Sequence, residues 1–211
     1  MNLYINVEIL NILLDAGLSV DRRNTNESSL VCIAALEGQK ECIELLLARG
    51  ADAKKANTRG DTPLFLAAQE GHKECAELLL ASGADANIAN ENGTTPLFMA
   101  AQDGFKDVVE LLIENKADVN QARNNGSSPL YVAVNRGHED IVKLLLEDER
   151  IDPNLARTCD GITPAQIAIR NNHGAIAALI LNHKDCHFKP ELEKIFDSLN
   201  DKEFRKSYSS Q

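Results

Sequence analysis

The residues with the richest chemistry in this chain sit close together: His183-Lys184-Asp185-Cys186-His187 places two imidazoles, a carboxylate and a thiol side by side. Zinc usually needs four ligands at characteristic spacing, and no partner half for this cluster is evident, so a solvated loop and no metal are expected. Nucleophile and phosphate chemistry have no better support. The chain lacks a Gly-rich loop leading into a helix, an HExxH, a GxSxG, and any Cys and His arrangement with a recognisable activator. We therefore expect no enzyme, no catalytic residue and no cofactor. The five cysteines, odd in number and without paired spacing, speak for a reducing compartment and against a disulfide framework. Cys42 and Cys75 stand 33 residues apart, in a slot later filled by Val108, Ile141 and Ile176, so both read as small buried hydrophobes.

That spacing governs most of the chain. Thr62-Pro63-Leu64-Phe65 returns as Thr95-Pro96-Leu97-Phe98 and as Ser128-Pro129-Leu130-Tyr131, each copy 33 residues after the last. Gly60, Gly93 and Gly126 precede the motif, and Gly71, Gly104 and Gly137 follow it. A fixed period of this length specifies a stacked repeat array. In the copy from Gly60 to Asn92, Thr62 can cap a helix whose first position is Pro63, and Gly71 ends it after about two turns. The run from Lys73 to Ser82 carries Cys75, Leu78, Leu79 and Leu80 at near-helical spacing and predicts a second, antiparallel helix stopped by Gly83. The Asn- and Gly-rich stretch to Gly93 then suits a short hairpin.

Helix, turn, helix and hairpin in this order, with these residues, resemble the ankyrin repeat, whose consensus reads G-x-TPLH-x-AA-x-x-GH and then LL-x-x-GAD-x-N, from about Leu10 to about Asp185. The resemblance implies an all-α fold with short hairpin loops: an α-solenoid of helix-turn-helix pairs, about five to six repeats, plus a C-terminal capping helix. The expected division is a truncated first repeat over 1–26, repeats over 27–59, 60–92, 93–125 and 126–160, a partial repeat over 161–185, and a capping helix with a polar tail over 186–211. Two copies depart from the pattern. The one at Glu27 has Ser29-Leu30 for Thr-Pro and no turn glycine, so its first helix begins less firmly. The one at Gly126 carries two extra residues after Leu146, which reads as a longer loop or as a bend in the array. His72, His138 and His173 fall at the family's structural GH position. Cys32, Phe65, Phe98, Tyr131 and Gln166 fill the last TPLH slot and read as inter-repeat packing.

A formal net charge of -10 and a pI near 5.0 argue against nucleic acid, which needs clustered Lys and Arg. The apolar start to Leu18 is interrupted by Asn2, Glu8, Asn11 and Asp15 and has no basic opening, so neither a secretory signal nor a membrane span is expected, and a cytoplasmic protein is. Tyr4, Ile5, Val7, Ile9 and Ile12 are poorly dressed for water. That points to a piece of a longer protein, or to an end covered by a partner or by self-association. At the other end, Pro190 opens an expected helix through Arg205, with Leu192, Ile195, Phe196 and Leu199 on one face.

In the ankyrin family, the resemblance implies, partners lie in a concave groove between hairpin tips and the inner side of each first helix. The corresponding residues are Leu36 and Glu37, Gln69 and Glu70, Gln102 and Asp103, Asn135 and Arg136, then Arg170 and Asn171. The tips add Arg59, Asp61, Glu91, Arg123 and Arg157. Along both rows acidic positions give way to basic ones, with Arg59 as an exception, which suits a partner polypeptide of complementary charge. The expected function is a non-enzymatic protein-protein interaction module or scaffold. The alternative is a targeting segment of a larger enzyme, or of a bacterial or viral effector acting in host cytoplasm.

Overall fold

The computed structural model describes residues 6–25 and 27–187. They form eleven helices and no strand, so the fold class is the all-α repeat solenoid that the period predicts. The chain divides into two compact units, Met1–Asp118 and Val119–Gln211. The first holds α1 (Val7–Asp15), α2 (Leu30–Leu36), α3 (Lys40–Ala48), α4 (Pro63–Gln69), α5 (Lys73–Ala81), α6 (Pro96–Asp103) and α7 (Lys106–Glu114). The second holds α8 (Pro129–Arg136), α9 (Glu139–Glu147), α10 (Pro164–Arg170) and α11 (Gly174–Asn182).

Every first helix of a pair starts from the same local chemistry. The hydroxyl of Thr62 accepts the backbone N–H of Phe65 at 3.1 Å, Thr95 that of Phe98 and Ser128 that of Tyr131 at the same distance. Thr163 accepts from Gln166, whose side chain in turn accepts the Thr163 N–H at 2.9 Å, closing a capping box. A proline at the first helical position needs no amide partner. Thr62, Thr95 and Ser128 are buried, so these caps also satisfy groups that water cannot reach. Helices α3, α5, α7, α9 and α11 start without a side-chain cap, and the first four carry Glu or Asp in the first turn, which suits the positive end of the helix dipole.

In the first unit, α2, α4 and α6 pack in one row and α1, α3, α5 and α7 in another. In the second, α8 meets α10 and α9 meets α11. Ala34-Ala35, Ala67-Ala68 and Ala100-Ala101 are fully buried, and their small side chains let neighbouring first helices approach closely. Leu46, Leu79 and Leu112, one per repeat, have no solvent exposure; burial of each contributes about 1.5–3 kcal/mol.

The departures from the pattern resolve individually. Ser29 still caps its helix, accepting from the Cys32 N–H at 3.2 Å, but Glu27 stands at φ 56 where the next copies place glycine. A residue with a Cβ in that left-handed region costs about 1 kcal/mol. The two extra residues after Leu146 form a longer loop: Asn120 Nδ2 donates to the Arg150 carbonyl and Asn120 Oδ1 accepts the Asp152 N–H at 2.8 Å, so the connection stays in register with the preceding repeat. Helix α1 takes the place of a second helix, packing on α3, with Arg49 bonded to Asn11 and Asp15. Leu10 is buried beneath it while Ile9, Ile12 and Leu13 are exposed at 58%, 65% and 47%. Tyr4, Ile5, the expected helix from Pro190 to Arg205 and the tail after it lie outside the described residues.

Candidate functional site

In the first unit the hairpin tips are shaped by asparagines. Asn57 Oδ1 accepts the N–H groups of Arg59 and Asp61, and Asn90 Oδ1 those of Asn92 and Thr94, so the side chain serves as an internal template for the turn. Two backbone bonds close each of these tips: Asn57 N to Asp61 O at 3.0 Å with Gly60 N to Asn57 O at 3.1 Å, and Asn90 N to Thr94 O at 3.0 Å with Gly93 N to Asn90 O at 2.8 Å. Neighbouring tips are tied by Glu91 N to Arg59 O in the first unit and by Thr158 N to Asn125 O in the second. The tips are thus rigid enough to present side chains from fixed positions.

In the first unit, Glu37 and Glu70 follow the last residues of α2 and α4, and Asp103 ends α6. Gln69 donates through Nε2 to Glu70 at 2.8 Å, and Gln102 to Asp103 at 3.2 Å, so in these two copies an amide steadies the carboxylate. Glu70, Asp103 and Glu91 are exposed and Glu37 is half-buried. Asp61, expected as an exposed tip acid, is instead buried. Its residue is 3% exposed, and its carboxylate accepts from Asn57 Nδ2 at 3.1 Å, Arg59 Nε at 3.0 Å and Asn90 Nδ2 at 2.9 Å. Asp61 therefore locks one tip to the next and aims Arg59. Sequence reasoning missed this network, although the signal was there: equivalent positions after the turn glycine hold the small hydroxyl residues Thr94 and Ser127. An open cleft of about 590 Å³ is lined by Arg59, Glu37 and Gln69 together with the apolar Ile33, Leu36 and Leu66 and with polar residues that include Asn24 and Ser28.

In the second unit, Arg136 ends α8 and Arg170 ends α10, both exposed. The exposed Asn135 is bridged by Asn171, whose Nδ2 donates to its carbonyl and side-chain oxygens at 3.1 Å. Arg123 is half-buried at its tip. Arg157 is engaged within its own repeat: its Nε donates to Asp160 at 3.1 Å, a terminal nitrogen holds the other carboxylate oxygen, and the guanidinium lies 5.2 Å from the Tyr131 ring centre. This pairing pushes the Arg157 pKa up and pulls the Asp160 carboxyl below its usual range. Burial pushes the Tyr131 phenol up, with Arg157 opposing. A second cleft, of about 480 Å³, is lined by Ile162, Gln166, Ile169, Asp160 and Arg170.

The remaining reactive side chains serve packing. His72 donates from Nε2 to the Leu36 carbonyl at 3.1 Å, and its ring covers Gly38 so closely that a Cβ there would collide with it. His173 lies over Gly137 less closely, with its Cε1 3.0 Å from where a Cβ would stand. Cys42 and Cys75 are buried; desolvation, then Glu74 and Glu41, pushes the Cys75 thiol up to about 11, far from a nucleophile's range. Phe65, Phe98 and Tyr131 are buried as inter-repeat packing requires. Among the described residues no group of three or more His, Cys, Asp or Glu could hold a metal, and no helix is long and apolar enough to cross a membrane.

Comparison with known proteins agrees with this geometry. The family model for ankyrin repeats matches three times, over residues 3–90, 82–157 and 117–191. No curated protein matches the chain. Ankyrin repeats are in general protein-protein interaction modules and are typically non-catalytic. With capped first helices, glycine turns and tied tips recurring in register under a match that spans most of its length, the chain belongs to the ankyrin-repeat family.

Proposed function

We propose that this chain binds a partner polypeptide along the side formed by its hairpin tips and the ends of its first helices. One observation carries the reading: Glu37, Glu70 and Asp103 stand at the C-terminal ends of three successive first helices. A carboxylate there faces the negative end of the helix dipole, an arrangement that costs about 0.3–1 kcal/mol per site instead of stabilising the fold. The exposed glutamine bonds to Glu70 and Asp103 offset only part of this cost, and it recurs three times on one face. A row of acids aimed at basic side chains of a partner accounts for the recurrence.

In the second unit, Arg136 occupies the equivalent end and Arg170, one position earlier in its copy, the last residue of α10, where a cation is favourable for the helix as well as available to an acidic partner segment. Exposed charges of this kind act mainly on association rate and on salt dependence. The test is affinity capture with the intact chain and with the Glu70→Lys and Arg136→Glu variants, read by mass spectrometry. Each reversal is expected to lose or slow capture of specific partners while leaving the melting temperature in place. Recovery of the same proteins by all baits at the same rates would refute the reading.

A further inference from the structure

Two departures from the repeat pattern converge on one cleft. The position before the acidic row holds Gln69, Gln102, Asn135 and Arg170 in four copies but Leu36 in the first. The residue before the turn glycine is Asn92, Asn125 and Asp160 elsewhere but Arg59 here, and only here is it followed, one residue after that glycine, by a carboxylate, Asp61. Leu36 and Arg59 both line the cleft of about 590 Å³, as do Ile33 and Leu66. One copy has thus exchanged a polar side chain for an apolar one and gained a fixed cation beside it.

The cation is pre-oriented. The Arg59 side chain is 74% exposed, yet its Nε is held by Asp61, whose side chain is 4% exposed and is anchored by Asn57 and Asn90 on its other sides. The buried carboxylate holds the inner edge of the guanidinium, and the outer two nitrogens of an arginine so held form the fork that matches a carboxylate. A pre-oriented arginine loses little rotamer freedom on binding. We infer that this cleft recognises an apolar side chain adjacent to an acidic residue on the partner polypeptide, the apolar group resting on Ile33, Leu36 and Leu66 and the carboxylate pairing with Arg59. Glu37, on the same rim, disfavours further acids, so a single acidic residue is selected and not an acidic run. This assignment rests on the partner-binding reading above and names what its first cleft takes.

The test pans a displayed library of short random peptides against the full chain and measures the enriched peptides by fluorescence polarisation. Enrichment of an apolar residue next to Asp or Glu is expected, with affinity falling about tenfold or more in Arg59→Gln and in Leu36→Gln. The second variant leaves Asp61 and its partners untouched and copies the glutamine of the next two repeats, so it separates recognition from folding. In Arg59→Glu, a peptide with Lys in place of its acid is expected to regain affinity. Peptides without the apolar and acidic pair, or affinities unchanged in both variants, overturn the assignment. If such peptides still weaken on Glu70→Lys, the wider binding reading stands and only the cleft falls. A library that yields no binder, or binders indifferent to every one of these changes, removes both.

Discussion

Charge is spent differently at neighbouring positions of this chain, and burial decides how. Asp61 and Glu91 both read as tip acids, yet one is sealed beneath Arg59 and the other is exposed. The cysteines divide in the same way. Cys32, Cys42 and Cys75 are buried, and desolvation pushes all three thiols up, whereas Cys159 is exposed at a tip. Since the thiolate is the species that alkylates, iodoacetamide at neutral pH is expected to modify Cys159 of the native protein first and to reach Cys32, Cys42 and Cys75 only on unfolding. Peptide mapping by mass spectrometry checks this, and labelling of Cys75 at the rate of Cys159 would contradict the packing described.

Among the connecting elements, the turn glycines differ in what surrounds them. Gly50 at φ 86 has open space where a Cβ would stand, while at Gly126, φ 80, the Cβ would meet the backbone nitrogen of Thr158 in the following tip. Both substitutions to alanine bear the left-handed penalty of about 1–2 kcal/mol. Only Gly126→Ala also breaks a contact that no side-chain rotation can relieve. Urea unfolding is expected to show Gly126→Ala as clearly the more damaging of the two; equal losses would mean that neighbouring tips are not held together as closely as the Thr158 to Asn125 bond implies.

At the scale of the whole molecule, stability comes from repeat-to-repeat contacts, and one polar bridge recurs among the apolar ones. Asn87 Nδ2 donates to the Lys116 carbonyl and its Oδ1 accepts the Asp118 N–H; Asn120 does the same to Arg150 and Asp152, and Asn154 to Asp185 and His187. Lys54 occupies the equivalent slot in the first full repeat, with its Cε about 3.7 Å from where a Cβ of Gly83 would stand. Removing both bonds in Asn120→Ala is expected to cost about 1–3 kcal/mol, and Lys54→Asn to stabilise by about 0.5–1.5 kcal/mol. Denaturant titration with shared slopes measures both; a destabilised Lys54→Asn would show that the first repeats are spaced differently from the later ones.

Local interactions and a strict period are enough to make a repeat legible from residues alone. Thr62-Pro63, Gly71 and the leucines of Lys73 to Ser82 specify a capped helix, a turn and a second helix without reference to anything distant, and the same instruction repeated every 33 residues specifies stacking. The acidic row at Glu37, Glu70 and Asp103 could be read in the same way, because equivalent positions of stacked copies share a face. Tertiary structure decided which of those charges remain available. Asp61 is claimed by Asn57, Arg59 and Asn90, the last of these 29 residues away, and Arg157 by Asp160 and by the Tyr131 ring on α8. Such partners are reached across packed tips and helices, so whether a charged side chain faces water or another side chain depends on tertiary distances that reading the motif position by position does not give.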